Sequence, residues 1–105
     1  MKMQFKEWNC DVSFSYYQNN NRTAIILTDH NTHEPIAVAT VNIPEAPLED
    51  DQVIIKDYSE NEGMKDALIL AGIIKEEMVS EIQTGFVTCP VYELTELAKE
   101  IRACS

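Results

Sequence analysis

The sequence predicts an α+β fold: a single domain, residues 1–105, in which an antiparallel sheet of four to six strands carries two helices. Three observations predict it. Apolar and polar residues alternate over nine positions near the N-terminus, two further strand-like runs follow after short polar turns, and two segments of helical spacing lie in the second half. A chain of 105 residues has the length of one domain and suffices for one core.

Trp8, Cys10, Val12, Phe14 and Tyr16 alternate with Asn9, Asp11, Ser13 and Ser15, the period-two mark of a half-buried strand. Gln18 to Asn21 is a polar turn whose asparagines tolerate positive φ. Residues 22–28 are β-branched and apolar on both faces, which reads as a central strand. A second polar turn over 29–35 leads into a third strand over 36–43, and the three make an antiparallel meander. Two prolines within four residues, Pro44 and Pro47, make 44–51 a loop before a short strand over 52–56.

Ser59-Glu60-Asn61-Glu62 has the form of a capping box, and Met64, Ala67, Leu68 and Ala71 continue it at helical spacing up to a C-terminal Gly72. Lys75-Glu76-Glu77 is a polar connection. Residues 78–89 read as one or two strands with a bend or bulge at Gly85, ended or confined to an edge by Pro90. Leu94, Leu97, Ala98 and Ile101 repeat at i, i+3, i+4, i+7 and predict a closing amphipathic helix, so that both helices cover one face of the sheet.

Charge narrows the function classes. The net charge is −10 and the pI about 4.4, so direct binding to nucleic acid or to an anionic membrane is not expected, because both rely on clustered Lys and Arg. No apolar run approaches the ~20 residues of a transmembrane helix, and the N-terminus lacks the apolar core of a signal peptide. Cys10, Cys89 and Cys104 are odd in number and widely spaced, which suggests reduced thiols and a cytoplasmic protein.

No catalytic or cofactor signature emerges. The turn Asp29-His30-Asn31-Thr32-His33-Glu34 holds both histidines, but its spacing suits a solvated hairpin tip better than a Zn²⁺ or Ni²⁺ site. Cys89 beside a base such as His30 or His33 would be needed for thiol chemistry, and nothing local links them. With three glycines there is no phosphate-binding loop. The expectation is a protein that is not an enzyme and carries no metal or cofactor.

The acidity is uneven: residues 1–44 carry a net −1 and residues 45–105 a net −9, of which −6 falls in 45–66. Asp57, Glu60, Glu62 and Asp66 lie mostly in the predicted helix, whose rise of ~1.5 Å per residue gives one carboxylate per roughly 3–4 Å. One DNA strand carries a phosphate every ~3.4 Å. Asp50 and Asp51 would extend this strip from the loop, with Tyr58 as an aromatic anchor, although Lys56 and Lys65 interrupt it. The expected partner-binding residues are therefore Asp50, Asp51, Asp57, Tyr58, Glu60 and Glu62. The alternatives are that the acids serve solubility and helix capping, or that contact is made through sheet edges and the aromatic face of Trp8, Phe14 and Tyr16 in an interaction or oligomerisation module.

Three segments carry a resemblance: Arg22-Thr23-Ala24-Ile25 through Glu34-Pro35-Ile36-Ala37-Val38-Ala39-Thr40-Val41-Asn42-Ile43-Pro44, Ile55-Lys56-Asp57-Tyr58-Ser59-Glu60-Asn61-Glu62-Gly63, and Thr84-Gly85-Phe86-Val87-Thr88-Cys89-Pro90-Val91-Tyr92. Through them the chain resembles the small bacterial family known as domain of unknown function 4313. The resemblance implies a phage or mobile-element setting. It implies an inhibitor of a bacterial defence nuclease, of anti-CRISPR or anti-restriction type, which blocks a basic nucleic-acid groove. It assigns no catalytic residue.

Overall fold

A computed structural model describes residues 1–104. Seven strands and two helices follow in the order β1 (Lys2–Phe5), β2 (Trp8–Tyr16), β3 (Thr23–Asp29), β4 (Pro35–Val38), β5 (Gln52–Ile54), α1 (Met64–Leu70), β6 (Ser80–Thr84), β7 (Val87–Glu93) and α2 (Glu96–Ala103). The fold is α+β, with its strands divided between a four-stranded sheet, β1-β2-β3-β4, and a three-stranded sheet, β5-β7-β6; every pair is antiparallel.

The two sheets are nearly continuous. Beyond β4 the chain stays extended: the Ala39 N–H donates to the Ile25 carbonyl, and the Lys56 N–H donates to that of Ala39. Thr40 bridges Ile55, and the Val41 N–H reaches the Ile54 carbonyl. The predicted third strand over 36–43 is thus β4 followed by a short joint that hands the hydrogen-bond ladder from one sheet to the other. The outermost strands of the joined array are β1 and β6.

Inward side chains of β2 and β3 (Cys10, Val12, Phe14, Ile25, Leu27) form the main core with Met64 and Leu68 of α1 and Ala98 of α2, so both helices pack on the same core. The three-stranded sheet has two apolar faces. Val53 and Tyr92 join the main core, whereas Ile54, Cys89 and Val91 form a smaller core with Ala46, covered by Val41, Ile43, Leu48 and Tyr58. Alternation along β7 therefore serves two cores at once.

Four local readings change. β1 precedes the predicted first strand, and a Lys6-Glu7 turn joins it to β2 with Lys6 at φ 53°. The expected capping box is absent. Residues Ser59–Asn61 form a 3-10 turn, Glu62 is extended, and α1 begins after Gly63 at φ 92°, with no side-chain cap on the Gly63 position. Asn61 sets this geometry. Its side chain is buried and donates to the Val38 carbonyl at 2.8 Å, so the chain must turn before a helix can start.

Pro90 lies within β7, the central strand of its sheet, rather than at an end. The Pro90 carbonyl accepts from Ile55 N–H, so the missing Pro90 N–H faces Ile55, just past the end of β5, and only a terminal bond of the ladder is lost. Residues 78–89 resolve into a hairpin, with Gly85 at φ 59° as first residue of a two-residue loop and Thr84 paired to Val87. The closing helix starts at Glu96, two residues after its apolar pattern begins at Leu94: Thr95 is its N-cap, its Oγ1 accepting from Ala98 N–H at 3.1 Å, and Leu97 is half exposed.

Candidate functional site

The six acidic-strip residues do not form one line. They fall into two patches separated by β5, whose extended chain from Asp51 to Ile55 spans about 13 Å. Asp50 and Asp51 end the 44–51 loop beside α2. Asp57, Tyr58, Glu60 and Glu62 occupy the segment that leads into α1. The helix-borne phosphate-like spacing is not realised, because α1 is seven residues long and Asp66 is the only acid of the strip within it.

In the first patch, Asp51 is paired with cations distant in sequence, whereas Asp50 is exposed and its side chain enters no ion pair among the described residues. Asp51 Oδ1 accepts from Arg102 Nη2 at 2.6 Å, and Lys99 Nζ lies 3.6 Å from Oδ2. The Arg102 guanidinium beside Asp51, helped by Lys99, holds the Asp51 carboxyl below the usual carboxylate range. Arg102 also donates to Thr23 Oγ1 at 2.9 Å and to the Asp50 carbonyl at 3.4 Å, so it clamps α2, β3 and the loop together. Arg22 performs a similar task at the other end of the loop, donating to the carbonyls of Ile43 and Ala46. Between that loop and the β2–β3 turn lies a cleft of about 440 Å³ lined by Asn20, Asn21, Arg22, Leu48, Glu49 and Asp50. Its one cation is already committed to backbone carbonyls, and its exposed charges are carboxylates.

The second patch is held by its neighbours. Asp57 Oδ1 accepts from the Lys65 N–H at 2.8 Å and so caps α1 from outside the expected box. The Tyr58 ring packs on the smaller core, with Lys56 Nζ 5.6 Å from its centroid; it is an intramolecular contact as much as an outward anchor. Lys56 pairs with Glu60 four residues on, which draws the Glu60 carboxyl down and the lysine up. Lys6 of the β1–β2 turn donates to the Glu60 carbonyl at 2.8 Å. Glu62 is exposed and makes no side-chain hydrogen bond among the described residues.

None of the fourteen carboxylates in 45–104 is buried. Four of the five cations there (Lys56, Lys75, Lys99 and Arg102) already sit in ion pairs, leaving a surplus of acid at the surface. Sequence reasoning missed Arg102, Lys99 and Lys6. A cation in the last turn of a helix is a recognisable signal, but its partner 51 residues away is not.

The other expectations resolve locally. His30 Nδ1 lies 3.0 Å from Asp11 Oδ1, while Asp29 accepts from the N–H groups of Asn31 and Thr32, which lowers its pKa. No group of three or more His, Cys, Asp or Glu side chains suited to a metal comes together among the described residues. Cys89 is fully buried, and desolvation pushes its thiol up, away from the thiolate a nucleophile needs. The three aromatics do not make one exposed face: Phe14 is in the core, Trp8 stacks on Phe5, and only Tyr16 is outward. No helix of the described residues is long and apolar enough to cross a membrane. The chain matches no protein-family model, no curated protein and no solved structure.

Proposed function

We propose that the protein is a non-catalytic binding module that docks its acidic half onto a partner protein with a basic surface. The observation that carries this is the surplus of exposed carboxylate over 45–104, whose cations are mostly engaged within the molecule. Such a surface steers association with a basic groove and weakens as salt screens it. The resemblance to the domain of unknown function 4313 family supports a bacterial defence nuclease, of CRISPR or restriction type, as the target class. Binding would then occlude the groove that holds nucleic acid.

Within the two patches, Asp50, Glu60 and Glu62 offer the outward charge, and Asp51 and Asp57 hold the geometry that presents it. The test is DNA cleavage by a panel of purified CRISPR and restriction nucleases with the protein added at low and high salt. The expected result is inhibition of at least one enzyme that fades as salt rises; cleavage unaffected across the panel removes the nuclease as target.

A further inference from the structure

We infer that β6 is a self-association edge, and that two copies of this chain pair antiparallel through it about a two-fold axis at Ile82. The inference goes beyond the acidic docking surface and does not depend on it.

An unpaired strand edge is a hazard that folds usually blunt. Three of the four edges here are blunted. β1 has four residues, begins with Lys2, is followed by Lys6 and packs against α1. β4 begins with Pro35 and carries a register shift against β3. The outer side of β5 is taken by Thr40 and Val41. β6 is the least protected: an irregularity marks its start, where the Val79 N–H reaches the carbonyl of Val91, the residue paired with Ser80, but its five residues, Ser-Glu-Ile-Gln-Thr, hold a single charge and no proline, and nothing covers their outer side among the described residues.

The hairpin fixes which groups face outward. Thr84 and Val87 close a two-residue loop, so Thr84 and Ile82 direct their backbone groups to β7. The N–H and C=O of Glu81 and Gln83 therefore point away from the sheet. Among the described residues no group bonds to them. Antiparallel pairing centred on Ile82 places Glu81 opposite Gln83 of the second copy at both hydrogen-bonded positions, giving four backbone bonds. It also sets each carboxylate against an amide rather than against another carboxylate. A register centred one residue earlier would oppose two glutamates. The Ile82-centred register thus keeps the two carboxylates of the paired edges apart.

The exposed apolar residues fit the same operation. Phe86 at the hairpin tip is 108% exposed, and Met78 and Val79, just before β6, are 43% and 44% exposed. They bracket the two ends of the edge. In the Ile82-centred register the Met78–Val79 segment of the second copy runs past the tip that carries Phe86, once at each end, so all six side chains leave water together. The result is a continuous sheet in the order β5-β7-β6-β6-β7-β5. The contact is small, and each copy carries −10, so the dimer is a weak one.

The test is sedimentation equilibrium of the full chain from roughly 10 µM to 1 mM, the range a small interface requires. The wild type should show a monomer–dimer equilibrium that tightens as salt rises, because salt screens the repulsion between copies; a nuclease complex held by the acidic patches would weaken instead. Gln83→Pro, which removes an outward N–H that no internal ladder uses, should leave a monomer at every concentration. Gln83→Glu should weaken the dimer at least tenfold by setting carboxylate against carboxylate. Adding Glu81→Lys should restore it, and circular dichroism should show all three variants folded. A wild type that stays monomeric throughout overturns the inference. So does a dimer indifferent to Gln83→Glu, and that result does not depend on whether the proline variant folds.

Discussion

The two acidic patches are built from the same residue types in the same half of the chain, yet they do different work. Asp51 is joined to Arg102 and Lys99 across 51 and 48 residues, so its charge is spent in holding α2 and the loop to the first sheet. Glu60 is joined to Lys56, four residues away, and Glu62 beside it stays in water with no bonded partner among the described residues. A carboxylate tied to a distant element stabilises the fold and is poorly available to a partner. One tied to a neighbour, or to none, costs little to recruit.

Substitutions should separate the patches by their effect on stability. The largest loss is expected for Arg102→Ala, which strips Thr23, Asp50 and Asp51 of a shared donor; about 2 kcal/mol is reasonable for a largely shielded charged hydrogen-bond hub. Thermal unfolding should fall by roughly 8–16 °C at ~4–8 °C per kcal/mol for a domain near this size. Asp57→Ala removes the acceptor for Lys65 N–H and should cost about 1 kcal/mol, with Asp57→Asn recovering part of it. Urea unfolding of the pair distinguishes capping from charge.

Asp51→Asn should cost less, ~0.5–1 kcal/mol, since its carboxylate is more than a third exposed and screened by water. Its signature is in the pH profile. The Asp51 pKa is lowered in the folded state, so its stabilisation is present above the unfolded aspartate value near ~3.9 and is lost as pH falls through the folded value. Asp51→Asn should therefore flatten the acid limb of stability below about pH 4. Glu62→Ala should be the mildest, within about 0.5 kcal/mol of wild type. A loss at Glu62 as large as that at Asp57 would erase the distinction between the patches.

Much of this arrangement was legible in sequence because it depends on local pattern. The alternation from Trp8 to Tyr16 predicts β2 with the bounds that the structure gives, and the positive φ tolerated by Asn21 and Gly72 marks turns where they occur. What escaped depends on contacts distant in sequence. Ser59 and Glu62 satisfy the pattern of a capping box, but the need to bury Asn61 against the Val38 carbonyl overrides it. Pro90 stands in a central strand opposite Ile55, at the very end of β5, where its missing N–H forfeits one terminal ladder bond, and no window around Pro90 reveals that placement. β1 was missed because four alternating residues before a turn without glycine or asparagine give too short a signal. The acidic candidates were found by composition, but their division into two patches follows from where Arg102, Lys99 and Lys56 come to lie.

The most direct measurement for the central claim is inhibition of a susceptible nuclease by the triple variant Asp50→Lys, Glu60→Lys, Glu62→Lys, compared with wild type at matched stability. These three positions carry outward charge and leave the Asp51 clamp and the Asp57 cap intact. The account predicts that inhibition is abolished while the melting temperature stays close to that of wild type. Full inhibition by the triple variant would contradict it.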